Sequence, residues 1–262
     1  MKLNIVPART GVTWVKLGIQ TFFKQPLALA GLFFMYMAAA TLASLIPFVG
    51  VVLALAIVPA ATLGLMAATL EATKGRFPMP AILVSAFRAG QQRSRAMMVL
   101  GFLYAAACLL IVSVVPLFFE VPVSRESALA PEMQGAMLMI MALYLPVSVL
   151  FWHAPALVHW HGVTPVKSLF FSAVVCFRNA GAYVVFGLTW MAVLMVIGLA
   201  VSLLAGLLAS PEAAAALFMP AALLMAAMFS TSLYFTFRDS FDASPTDDPD
   251  NTDNNPTPGE TP

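Results

Sequence analysis

The chain has 262 residues, 61% of them apolar and only 10% charged, with a formal net charge of +1. Soluble domains run near ~45–50% apolar and ~25% charged, so an ordinary water-soluble enzyme is excluded and a multi-pass membrane protein is indicated. The two signs of charge are segregated: every Lys and Arg lies at or before Arg238, while residues 238–262 hold seven of the twelve acidic groups and no Asp precedes Asp239.

Taken in chain order, the pattern predicts an all-α, polytopic helical bundle. The N-terminus has no short basic region, apolar core and small-residue cleavage site, so the first long apolar run is expected to stay as a signal anchor. Six windows of about 20 mostly apolar residues can each cross a ~30 Å hydrocarbon core. They are residues 27–46, 49–70, 96–119, 135–158, 182–209 and 213–237, none with a charge in its interior. The turn signals Pro47-Phe48-Val49-Gly50 and Ser210-Pro211-Glu212 make spans one and two, and five and six, tight antiparallel hairpins. Residues 238–262 are too poor in apolar groups to fold and are expected to form a disordered acidic tail.

Three connections are amphipathic at 100° per residue, over residues 7–25, 80–95 and 165–179. In the first, Val12, Trp14, Val15, Ile19, Phe22 and Phe23 oppose Arg9, Thr13, Lys16, Gln20 and Lys24. In the second, Ile82, Leu83, Ala86 and Phe87 oppose Ser85, Arg88, Gln92 and Arg95, with Arg93 out of pattern. In the third, Leu169, Phe170, Ala173, Val174, Cys176 and Phe177 oppose Lys167, Ser168, Ser172, Arg178 and Asn179. Each opens with proline, Thr164 is placed to cap the third, and each is followed by two spans. The chain therefore reads as three repeats of an interfacial helix feeding a transmembrane hairpin. Lying flat, such helices set an apolar stripe at the headgroup boundary and offer Arg9, Lys16, Lys24, Arg88, Arg93, Arg95, Lys167 and Arg178 to anionic lipid headgroups. Packing of the same helices against the ends of the bundle is the alternative.

Prolines recur inside the second span of each unit, at Pro59, Pro155 and Pro220, with Pro146 in addition; all four are expected to kink helices. Matching kinks also occur around the cavities of transporters. His153 is the one ionisable side chain, Tyr and Cys aside, inside a span, and with Trp152, His159, Trp160 and His161 it is read as an aromatic belt at the membrane surface. Gly198, Ser202 and Gly206 allow close helix–helix contact, inside the monomer rather than in a dimer. Cys108 and Cys176 read as small buried hydrophobes. No nucleophile elbow, phosphate loop, metal motif or dinucleotide fingerprint is present, so neither catalytic residues, nor a cofactor, nor a metal is assigned.

Val6-Pro7-Ala8-Arg9-Thr10-Gly11-Val12-Thr13-Trp14, the Ile46-Pro47-Phe48-Val49-Gly50 turn and the run from Ala154-Pro155-Ala156-Leu157-Val158 to Phe177-Arg178-Asn179 carry a resemblance. In them the chain resembles an uncharacterised family of proteobacterial six-span inner-membrane proteins, over most of residues 1–240. More distantly, the helix-plus-hairpin plan is similar to the membrane domain of some glycerophosphodiester phosphodiesterases, without their soluble catalytic domain. The resemblance implies the bacterial inner membrane and supplies no reaction or ligand. The expected function is that of a non-enzymatic scaffold or envelope-homeostasis factor contacting lipid or partner proteins. The alternative is a transporter or channel for a small apolar or amphiphilic solute. Membrane lipid is the expected partner and nucleic acid is not; a protein partner is unspecified and a homo-oligomer stays open.

Twelve of the thirteen basic residues fall on one side of the six spans, and Arg125, among Glu120, Glu126 and Glu132, on the other. The positive-inside rule then puts both termini in the cytoplasm. A reporter fused after Pro262 is expected to be active only on the cytoplasmic side; activity only outside reverses the topology.

Overall fold

The computed structural model describes residues 3–119, 131–207 and 211–241, the side chains of 131–132 and 211–215 excepted. The expected disordered tail from residue 242 onward and the outer-loop residues Glu120, Arg125 and Glu126 lie outside them. Among the described residues, nine α-helices run in order: α1 (Thr10–Lys24), α2 (Pro26–Ser44), α3 (Gly50–Thr73), α4 (Gln91–Val114), α5 (Pro131–Phe151), α6 (Ala154–His161), α7 (Pro165–Arg178), α8 (Ala180–Leu207) and α9 (Pro211–Ser240). Two 3-10 segments, Pro80–Phe87 and Val115–Leu117, flank α4. Among the described residues, six stretches are long and apolar enough to cross a membrane: Pro26–Ser44, Gly50–Thr73, Gln91–Leu117, Met133–His161, Ala180–Leu207 and Ala216–Ser240.

The ends of the described chain meet on one face of the bundle. Leu3 bridges Phe241, and the Asn4 N–H donates to the Ser240 carbonyl at 3.0 Å. Asn179, at the end of α7, receives the Val6 N–H on Oδ1 at 2.9 Å and donates its Nδ2–H to the Asn4 carbonyl at 3.0 Å. Across this latch the Trp14 Nε1–H donates to Asp239 Oδ2 at 2.9 Å, while Arg238 holds the other carboxylate oxygen at 2.7 Å. Arg238 and Asp239 therefore belong to the last turn of α9, which runs to Ser240.

Of the three amphipathic segments, α1 does not turn its apolar stripe to lipid. Trp14, Val15 and Phe22 are buried in the main core with Phe186, Trp190 and Phe235, leaving only Val12 and Phe23 exposed on that stripe. Glycine makes this approach close: a Cβ on Gly11 would strike the backbone of Ala182 and Phe186, and one on Gly18 would meet Ser232 at 2.6 Å. The second segment is not one helix. It is a 3-10 turn through Phe87, then Gly90 at φ +97°, and Arg93 and Arg95 belong to the first turns of α4. In the third, the polar residues are split: Ser168, Ser172 and Asn179 are buried, whereas Val166, Lys167, Phe170, Phe177 and Arg178 face outward. Thr164 does occupy the N-cap of α7 but makes no side-chain cap bond.

Close packing between spans falls elsewhere than on Gly198, Ser202 and Gly206. A Cβ on Gly198 or Gly206 would meet nothing within 4 Å, and Ser202 is exposed. The tight contact is Gly101 of α4, where a Cβ would strike the Ala56 carbonyl of α3. Gly11→Ala and Gly101→Ala are each expected to cost about 1–3 kcal/mol through overpacking against backbone, whereas Gly198→Ala should stay within about 0.5 kcal/mol of the parent. Melting temperatures in one detergent check the contrast.

Candidate functional site

Span four is interrupted, and the interruption organises its surroundings. An uninterrupted helix would bond the N–H of residue 153 to the carbonyl of residue 149. Here Ser172 of α7 stands between them: the His153 N–H donates to Ser172 Oγ at 3.0 Å and the Ser172 hydroxyl donates to the Val149 carbonyl at 2.8 Å. A side chain inserted into the ladder is one of the few causes of a sharp helix break, and Pro155, which has no N–H, is the second residue of the next helix, where no intrahelical bond is asked of it. Pro155 thus sits in the first turn of a helix instead of kinking one.

The break aims two aromatic groups across the bundle. Trp152 Nε1–H donates to Thr236 Oγ1 of α9 at 3.2 Å, and His153 Nε2 is hydrogen-bonded to the Tyr183 hydroxyl of α8. His153 is fully buried, with Phe237 and Phe241 rings 5.7 and 5.5 Å from its own. It is not part of an interfacial belt. Its Nδ1 has no hydrogen-bond partner. Nearby, burial pushes the Cys176 thiol up to about 12, so it is neutral at ordinary pH.

On the other side of the break lies a partly open cavity of about 370 Å³ between α3, α4, α5, α6 and α9. Pro59, Tyr104, Tyr144, Phe151, Pro155 and Phe229 are among its lining, which contains no charged residue. Tyr104 and Tyr144 are hydrogen-bonded to each other at 2.8 Å and supply its polar handle. Such a chamber suits an uncharged or apolar moiety with a hydroxyl or carbonyl; an isolated charge would be strongly disfavoured.

The four expected kink prolines do not act together. Pro59 and Pro155 are buried at the cavity, while Pro146 and Pro220 lie inside continuous helices with exposed rings. All eight cations expected at headgroups, Arg9, Lys16, Lys24, Arg88, Arg93, Arg95, Lys167 and Arg178, are exposed. Arg76, by contrast, is held by Glu71 through two hydrogen bonds of 2.6 and 2.7 Å. Among the described residues, no three His, Cys, Asp or Glu lie close enough together to hold a metal. Sequence reasoning missed the pairing of Ser172 with the break and the Tyr104–Tyr144 pair, because both join residues distant in the chain.

The chain is 36% identical over 254 residues to a Burkholderia thailandensis protein named "Probable inner membrane protein", covering 92% of this chain and 94% of that one. No family model matches the sequence. No solved structure matches it.

Ser172→Ala deprives the His153 N–H and the Val149 carbonyl of their shared partner and is expected to cost about 1–3 kcal/mol. Ser148→Ala, whose hydroxyl only back-bonds to the Leu145 carbonyl of its own helix, should be nearly neutral. Thermal unfolding of both variants in detergent makes the comparison.

Proposed function

The chain belongs to the family of that inner-membrane protein, and we propose that it serves there as a non-enzymatic scaffold that binds an amphiphile of the bilayer. Both termini are taken to face the cytoplasm, as the lopsided distribution of basic residues requires. In this reading the chain is three units, each an entry segment followed by a pair of spans, with the entry segments differing in detail. The exposed cations draw the cytoplasmic face against anionic headgroups.

The observation that carries the proposal is the cavity at Pro59 and Pro155: roomy, free of charge, and fitted with one tyrosine pair. A lipid tail or small amphiphile meets each of those conditions. Transport of the same molecule is the second reading, favoured by one feature: the cavity abuts a broken helix, as solute sites in transporters do.

Protein extracted in mild detergent is expected to carry a tightly held amphiphile in about stoichiometric amount, detected by mass spectrometry of the stripped fraction. Ser148→Phe, which fills the cavity, should lower its occupancy about tenfold, comparable to the contribution of two buried methylenes. The parent and the filled variant carrying the same lipid complement would overturn the proposal.

A further inference from the structure

A second concave site lies on the basic part of the molecule and shares no lining residue with the central cavity. It is a shallow groove of about 390 Å³ lined by Ala81, Ile82, Ser85, Arg88, Ala89 and His159. A 3-10 helix repeats every three residues, so Ile82, Ser85 and Arg88 stand in one row along the Pro80–Phe87 segment and its C-cap. His159 of α6 faces that row. Two polar atoms here are buried from solvent and have no hydrogen-bond partner: Ser85 Oγ and His159 Nδ1. Arg88 is exposed, and it is in neither of the ion pairs among the described residues, Glu71–Arg76 and Arg238–Asp239. Arg93, in the first turn of α4, lies near enough to His159 to act on it electrostatically. No carboxylate lines the groove.

A guanidinium, a hydroxyl and an imidazole nitrogen, each able to donate and converging with no carboxylate among them, suit an anion with several oxygen acceptors. We propose that this groove binds a phosphate group. Arg88 supplies the charge and a donor fork, Ser85 and His159 each donate one hydrogen bond, and Arg93 adds a second positive charge without direct contact. The phosphate comes either from the headgroup of an anionic lipid or from a soluble phosphate, and the chemistry of recognition is the same for both. His159 sits one helical turn beyond Pro155, on the same face of α6, so a lipid headgroup here would lie one turn from the cavity. The groove nevertheless stands independently of the cavity, since its recognition uses none of the cavity's residues.

The test uses the full chain in phosphatidylcholine nanodiscs, with and without phosphatidylglycerol, and with inorganic phosphate in the buffer. Native mass spectrometry reads retained lipid and thermal unfolding reads stabilisation. The parent is expected to retain phosphatidylglycerol over phosphatidylcholine, whose choline cation Arg88 and Arg93 repel. Arg88→Gln, His159→Gln and Ser85→Ala should each weaken that retention, Arg88→Gln by about tenfold, and each by more than Lys167→Gln or Arg178→Gln, which remove a cation outside the groove. Ser85→Ala removes a hydroxyl with no partner in the fold, so it breaks no hydrogen bond of the protein itself. Displacement of lipid and stabilisation by millimolar inorganic phosphate would assign the soluble source; stabilisation by phosphatidylglycerol alone would assign the headgroup. Equal retention of the two lipids together with no stabilisation by inorganic phosphate, or responses unchanged in all three groove variants, overturns the proposal. Ser148→Phe leaves groove binding intact, so loss of the cavity ligand and loss of the phosphate site are separable results.

Discussion

Inside a membrane bundle, a peptide group that leaves the helical ladder must find another partner, because hydrocarbon offers none. The rest of this architecture follows from how one such departure is met. Where span four stops, at Trp152 and His153, the groups that would have bonded each other bond the Ser172 hydroxyl instead. That serine must therefore be buried, and with it the face of α7 that carries it. Ser168 and Ser172, four residues apart, point inward together, and Phe170 and Phe177 are left to face out. What looks like an amphipathic helix with a wet polar face is a helix whose polar face is occupied by the protein's own backbone.

The same break explains why aromatic residues dominate the centre. With the ladder open, Trp152 and His153 are freed from the helical spiral and reach α9 and α8, respectively. Their ring neighbours, Tyr183, Phe186 and Phe229, knit α8 and α9 to the broken span. α1 wedges into the remaining gap through Gly11 and Gly18, and Trp14 closes it by bonding Asp239. Each contact of this set links residues far apart in the chain, so it is fixed only when the whole bundle assembles.

This division marks what a sequence can disclose. Apolar run length is a local property, and it located all six candidate spans with boundaries displaced by a turn or so. Span three is the instructive displacement: its helix starts at Gln91, so Arg93 and Arg95 sit within it, whereas a charge-free window begins only at residue 96. Helical wheels worked less well, since they assume both the period and the environment of each face. Residues 80–87 take the 3-10 period, which brings Ile82 into line with Ser85 and Arg88, where a 100° wheel spreads the three over about 120°. For α1 the period was right, but the apolar face meets α8 and α9, not lipid. Pro155 illustrates a third limit. A proline inside an apolar run reads equally as a kink or as a helix start, and only Ser172, arriving from another helix, decides between them.

α6 is the element in which these threads join. It is eight residues long, too short to be stable alone; Pro155 stands in its first turn, and Gly162, at φ +64°, ends it in the left-handed conformation that glycine adopts without strain. Along it the environment changes from apolar to ionic within a turn: Pro155 borders the uncharged cavity and His159 the Arg88 groove. In a continuous span four Pro155 and His159 would still stand one turn apart on one face, but along the axis of α5. Interrupting it sets an oil-like chamber and a cationic groove beside one short rigid rod. That is the order in which an amphiphile presents its own parts at a membrane surface, tail inward and charge outward.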